Sequence, residues 1–184
     1  MAERIEQRLA LCFRRAHVQE PLLCEMVRHC RNLLFNIHDL NVGPDQAHMT
    51  LSVVGKRAEI KEAERFLTTF DVDLRKISSD TFEGLLPEIP DRRVQAARND
   101  VPMERKLWLT FVGPLQQHPF LWVLLKRFDI TFKIMQSVTG DPVSIVSLLI
   151  WGPRIEVEAA VTYLREQRVN VEYGEVGVSA PFDL

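Results

Sequence analysis

The sequence predicts an α+β chain in which one unit, of element order βαββαβ, occurs twice. Three observations carry this expectation: a self-similarity spanning most of the chain, four short segments of alternating apolar residues in each copy, and two segments per copy with apolar residues at helical spacing. Leu9-x-Leu11-x-Phe13 returns as Leu107-x-Leu109-x-Phe111, and Pro21-Leu22-Leu23 as Pro119-Phe120-Leu121, at an offset of 98. One residue is then lost. At an offset of 97, Phe35-x-Ile37 matches Phe132-x-Ile134, Gly43 matches Gly140, and Gly55-Lys-Arg57-Ala-Glu59 matches Gly152-Pro-Arg154-Ile-Glu156. Ala63, Leu67 and Val72 match Ala160, Leu164 and Val169 in the same register.

The first copy shows each element. Leu9, Leu11 and Phe13 alternate as one strand. From Pro21 onward Leu22, Leu23, Met26, Val27 and Cys30 fall on one helical face, with Pro21 near the helix start, where its missing N–H costs nothing. A second strand carries Phe35 and Ile37. Gly43-Pro44-Asp45 is turn chemistry, as is Gly140-Asp141-Pro142 in the second copy, and Met49-x-Leu51-x-Val53 resumes the alternation up to Gly55, so a hairpin joins strands two and three. Glu59 to Phe70 form a second helix with Ile60, Ala63 and Leu67 inward, followed by a short strand with Val72 and Leu74. This order is the ferredoxin-like split βαβ pattern, an antiparallel four-stranded sheet with two helices on one face.

These readings divide the chain into a domain over 1–77, a linker over 78–104 and a second domain over 105–184. The linker lacks a sustained apolar period, contains Pro87, Pro90 and Pro102, and sets three basic residues against six acids. Asp91 to Asn99 is long enough for two helical turns, and Leu85, Leu86 and Ile89 point to packing against a domain. The tail after Tyr173 reads as extended.

Composition narrows the function. The chain has 184 residues, 46% hydrophobic, with 23 Lys and Arg against 25 Asp and Glu. That is a folded, near-neutral composition, without the polybasic character of a nucleic-acid or membrane-surface binder. No apolar stretch reaches the ~18–20 residues of a membrane helix, and the first residues lack the apolar core of a secretory signal, so a cytoplasmic protein without membrane insertion is expected. Cys12, Cys24 and Cys30 form no CxxC pair and are expected as buried small hydrophobes. The histidines His17, His29, His38, His48 and His118 show no metal-binding spacing, so neither metal nor cofactor is expected. Glu59, Glu62, Glu156 and Glu158 mark early helix turns, where acids suit the positive end of the dipole. No nucleophile elbow or Cys–His dyad supports catalysis.

On the sheet face without helices the copies differ. The first presents Ala10, Cys12, Thr50, Ser52 and Val54, and the second Trp108, Thr110, Ser147, Leu149 and Trp151. Two tryptophans and a leucine on an open face call for a cover, which the linker, the first copy, a symmetry-related subunit or an apolar ligand would each supply. Trp151 is expected to be buried. The RNA-recognition module shares this element order and uses aromatics on these strands. Its Lys/Arg-Gly-aromatic signature is absent, however, and residues 105–184 balance eight bases with eight acids, so no nucleic-acid partner is expected.

Glu20-Pro21-Leu22-Leu23-Cys24-Glu25 and Asn36-Ile37-His38 in the first copy, Phe111-Val112-Gly113-Pro114 and Lys133-Ile134-Met135 in the second, and the closing Ala160-x-x-Tyr163-Leu164-Arg165-Glu166-Gln167-Arg168-Val169-x-Val171-Glu172 carry a family likeness. The sequence resembles the NIL domain family, a ferredoxin-like, ACT-like module named for an Asn-Ile-Leu motif on its second strand. That family occurs at the C-terminus of the ATPase subunit of methionine importers and beside ferredoxin modules. The likeness covers most of 7–77 and 105–176, with neither a phosphate loop nor a four-cysteine set alongside it. It implies a stand-alone tandem sensor that binds an amino acid, with methionine or a related sulfur compound first. The implied ligand positions are Asn36, Ile37 and His38, then Lys133 and Ile134 at the same motif in the second copy, and the loop Phe111, Gly113 and Pro114. Asn36 can donate and accept, which suits an α-amino acid, whereas Lys133 can only donate, so the copies are not expected to bind equivalently. In the first copy Arg15 replaces the loop glycine, and Arg14 and Arg15 either supply charge to an anionic ligand or are simply solvated.

The expected function is therefore a non-catalytic regulator that binds a small ligand near a domain or subunit interface, with a homodimer among the arrangements and an unknown protein as its target. A structural interaction module whose ligand site has decayed is the second reading. An enzyme on the same scaffold is the third.

Overall fold

In the computed structural model, residues 4–14, 21–42, 45–83 and 101–174 are described. The element order is β1 (Ile5–Arg14), α1 (Leu22–His29), β2 (Leu34–Val42), β3 (Gln46–Gly55), α2 (Arg57–Thr68), β4 (Asp73–Thr81), β5 (Pro102–Val112), a 3-10 turn (Gly113–Gln117), α3 (Phe120–Arg127), β6 (Thr131–Val138), β7 (Val143–Pro153), α4 (Arg154–Glu166) and β8 (Asn170–Gly174). The strands form two antiparallel four-stranded sheets, ordered β2-β3-β1-β4 and β6-β7-β5-β8. Each half has the ferredoxin-like strand order that the sequence predicts.

Period-2 alternation makes the core face of each sheet. Leu9, Leu11 and Phe13 face inward on β1, and Leu107, Leu109 and Phe111 on β5. Against them pack Ile60, Ala63 and Leu67 of α2, and Val157, Ala160, Val161 and Leu164 of α4. Core residues of both halves join in one continuous cluster. Helix α2 starts two residues before the expected Glu59 because Glu59 itself closes the first turn, its Oε2 accepting the Lys56 N–H at 2.9 Å. Strand β4 is longer than expected, running through Thr81, and β5 begins at Pro102, so both reach into the segment read as linker. The helical turns expected in Asp91–Asn99, the packing of Leu85, Leu86 and Ile89, the Gly43-Pro44 turn, Arg15 and the tail beyond Gly174 lie outside the described residues.

Two irregularities recur at corresponding places. The β2–β3 ladder shifts register between Ile37 and Asp39, leaving His38 as the extra residue, and the β6–β7 ladder shifts between Ile134 and Gln136, leaving Met135. Gly55, the last residue of β3, and Gly152, next to last in β7, lie under tight cover: a Cβ would meet Leu33 Cδ2 at 2.3 Å in the first case and the Asp129 carbonyl oxygen at 2.7 Å in the second.

Several burial expectations need correction. Trp151 is half-buried rather than buried, because its neighbours on the helix-free face cover the indole only in part and leave an open cleft beside it. Cys24 and Cys30 are buried as expected, but Cys12 is half-buried, since its position alternates onto that same open face. Ser52 and Val54, placed by their alternation on the helix-free face, are nevertheless buried: the His38 ring lies on the Ser52 hydroxyl, and Val54 lies between Glu6 and Leu34 in the ladder. Glu156 is buried at the first turn of α4, where Oε2 accepts the Asp129 N–H at 3.1 Å. Among the described residues no helix is long and apolar enough to cross a membrane, and no cluster of three metal-ligating side chains occurs.

Candidate functional site

The two halves meet through their edge strands β2 and β6 and through helices α1 and α3. Each helix reaches across to the chain entering the other half's second strand. From α1, the Cys24 thiol donates to the Phe132 carbonyl at 3.2 Å and accepts the Phe132 N–H at 3.3 Å, and Arg28 donates to Thr131 Oγ1 at 2.6 Å. From α3, the Trp122 indole N–H donates to the Leu33 carbonyl at 2.6 Å, and the Lys126 ammonium donates to the Arg31 carbonyl. Cys24 and Trp122 stand at corresponding positions, as do Arg28 and Lys126, so the contacts obey an approximate two-fold relation. Burial pushes the Cys24 thiol up to about 11, so it stays protonated as a donor. The Lys126 ammonium is pushed down by burial and then by Arg31.

At one end of this seam a cavity of about 70 Å³ opens between β2 of the first half and the β5–α3 connection, β6 and β7 of the second. Phe35, Ile37, Phe111, Phe120, Ile134 and Val146 give it apolar walls, while Asn36, Asp39, His118, Ser137 and Thr139 bring polar groups. The α3 terminus also faces it, with Pro119 to Trp122 in its lining. The first turn of a helix leaves backbone N–H groups without intrahelical partners, which makes that wall electropositive. The volume accommodates several water molecules or a small organic group.

Sequence and tertiary contacts together fix the walls. Gly113 takes a positive φ of 56°, which starts the 3-10 turn, and its N–H donates to the Pro142 carbonyl at 2.9 Å. Gln116 ties the turn to the β6–β7 connection, donating to the Pro142 carbonyl at 2.7 Å and accepting from Ser144 Oγ at 2.8 Å. Asn36 crosses the seam, its amide donating to the Gln117 carbonyl at 3.0 Å, which leaves its oxygen as an acceptor. The His38 imidazole pairs with Ser52 and is held below its ordinary pKa, first by burial, then by Arg8, with Glu6 opposing.

Of the residues singled out by sequence, Asn36, Ile37, His38, Phe111 and Ile134 come together on this cavity. Gly113 and Pro114 lie in the turn beside it without joining its lining. Lys133 departs from the expected arrangement: it points to the helix-free face and lines a separate cleft with Trp151, because Asn36 and its counterpart alternate away from the core on opposite sides of the seam. Arg14 is exposed at the end of β1, away from the cavity. Sequence reasoning missed Asp39, Gln116, Ser144 and Trp122. For Trp122 a signal existed, since it replaces a cysteine at the corresponding position of the first copy.

The fold and the seam define a pair of ferredoxin-like domains in one chain with a cavity between them. Residues 105–173, in the second half, match the NIL domain family model. Over 88 residues the chain is 35% identical to the methionine import ATP-binding protein MetN of Halalkalibacterium halodurans, a match covering 45% of this chain and 26% of that protein. The matched stretch is thus about a quarter of the relative's length. Among solved structures, the acetolactate synthase small subunit of Thermotoga maritima overlaps 93% of this chain and 98% of its own at 17% identity, with a TM-score of 0.24. A microcompartment protein of Desulfitobacterium hafniense overlaps 96% and 97% at 13% identity, with a TM-score of 0.31. At such scores the fold assignment rests on the strand order of each half.

Proposed function

We propose that the chain is a non-catalytic regulatory protein that binds a small amino acid, methionine or a related sulfur metabolite first, in the cavity at the seam. The observation that carries this reading is the cavity's mixture of apolar walls, side-chain acceptors and a helix N-terminus. An α-amino acid needs all three: Asn36 and Asp39 accept from the ammonium, the first turn of α3 meets the carboxylate, and Phe35, Ile37, Phe111 and Ile134 take the side chain. The family match at 105–173 supports the same class of ligand. In this reading the halves, 1–77 and 105–184, are copies of one module joined by 78–104, in a cytoplasmic setting. Ligand bound across the seam favours one pairing of the halves, and that preference is passed to a protein partner.

The cavity of about 70 Å³ favours a second reading, because drug-sized ligand sites run to roughly 300–1,000 Å³. A module that contacts other proteins through a decayed site would show such a remnant. A thermal-shift panel of amino acids and sulfur metabolites separates the two. The regulator is expected to gain melting temperature with at least one compound and to lose that gain in Asn36→Ala. Flat melting curves across the panel, unchanged by the substitution, would leave the interaction module standing.

A further inference from the structure

We propose that the seam cavity selects for positive charge: its ligand class is an apolar primary amine, held by the ammonium, for which a carboxylate is dispensable. This rests on the reading of the cavity as a ligand site and narrows its chemistry. Among the described lining residues Asp39 is the one carboxylate, and neither a lysine nor an arginine occurs. Asp39 is exposed where it lines the cavity, so its charge stands at the mouth, and it forms no ion pair among the described residues. A bound ammonium would meet an opposite charge there, whereas a carboxylate would meet a like one.

The hydrogen-bonding groups point the same way. The Asn36 amide donates to the Gln117 carbonyl at 3.0 Å, the Gln116 amide to the Pro142 carbonyl at 2.7 Å, and the Ser144 hydroxyl to Gln116 Oε1 at 2.8 Å, so these donors are engaged within the protein. The Asn36 oxygen is left as an acceptor. An ammonium carries three donors and no acceptor, which suits such a wall, whereas a carboxylate only accepts. The start of α3 offers an anion less than most helices do, since Pro119 has no N–H and Phe120 donates its own to the His118 carbonyl at 2.8 Å. His38 pairs with Ser52 and is kept neutral at pH 7 by burial and then by Arg8, with Glu6 opposing, so it adds no cation. Phe35, Phe111 and Phe120 form a bed for the apolar tail, and the faces of such rings attract a cation rather than an anion.

Titration calorimetry on the full chain tests it with methionine and two fragments of it: 3-(methylthio)propylamine, which lacks the carboxylate, and 4-(methylthio)butanoate, which lacks the ammonium. The amine is expected to bind saturably and within about threefold of methionine, and the butanoate about tenfold or more weakly than the amine. Asp39→Asn should weaken the amine about fivefold, while Glu104→Gln, which removes a carboxylate on the helix-free face of the second sheet, should leave it unchanged. Melting curves check that each variant folds. Methionine binding without the amine, or the butanoate binding more tightly than the amine, would overturn the proposal while leaving an amino-acid site in place. Equal amine affinity in the parent and Asp39→Asn, or an equal loss in Glu104→Gln, would overturn it too. Amine binding without methionine would uphold it and remove the amino-acid reading. Silence of all three probes overturns it, and the wider amino-acid panel then decides whether the cavity is a ligand site.

Discussion

His38 is the extra residue of the β2 bulge, and that insertion turns its ring onto Ser52. Its neutral form is favoured in the folded chain, chiefly by burial and then by Arg8, so the unfolded chain binds the proton more tightly. The stabilisation is full above the ordinary imidazole value of about 6.5 and declines as pH falls through the lower folded value. Melting curves between about pH 7 and pH 5 should therefore show a smaller acid loss for His38→Gln than for the parent; equal slopes would contradict this role. The cysteines divide in the same residue-by-residue way. Burial raises both Cys24 and Cys30, whereas Cys12 is half-buried on the open face. Iodoacetamide at mildly alkaline pH should label Cys12 first and leave Cys24 unmodified until the chain unfolds. Labelling of Cys24 at the rate of Cys12 would show that the seam opens readily.

At the scale of elements, the strands and helices were legible because each places apolar residues at its own period, and the second copy repeats the evidence. What hydropathy does not encode is a bulge, since one inserted residue reverses the face of everything beyond it. On β2 the bulge at His38 is why Leu40, and not Asp39, follows Ile37 on the core side, whereas Ser52 and Val54 of β3 keep the face that alternation predicts and are buried by what covers it. The glycines near the ends of β3 and β7 were legible as a repeated pair, and the reason lies in the chain that crosses them. Gly152→Ala would press a methyl against a backbone carbonyl that cannot turn aside, at a cost of about 1–3 kcal/mol. Gly55→Ala meets the end of a leucine side chain and should cost less, as urea denaturation of the two variants would reveal. The reverse order would mean that Leu33 is held more rigidly than Asp129.

For the whole molecule the decisive feature is the seam. Apart from Trp122, the residues that sequence reasoning missed carry no local signature, because a contact between two edge strands joins positions far apart in the chain, and neither Gln116 nor Ser144 belongs to a periodic pattern. The motif resemblance reached Asn36, Ile37, His38, Phe111 and Ile134, yet it also grouped Lys133 with them, since a motif names a strand position and not the side of the seam on which the side chain ends. Trp122→Phe keeps the ring but leaves the buried Leu33 carbonyl without its indole donor, an expected loss of about 1–3 kcal/mol in denaturant titration. Calorimetry of the parent should show a single transition, because one core runs through both halves. Two resolved transitions would show that the halves melt separately.

Joining β2 and β6 within one polypeptide also removes a second-order step. Modules that meet as separate subunits come apart on dilution, and any site between them empties with the assembly. Here the two walls are tethered at an effective concentration in the millimolar range, whatever the amount of protein present. At the proposed site occupancy would then track the ligand alone, and the melting temperature should be the same at about 1 µM and about 100 µM protein.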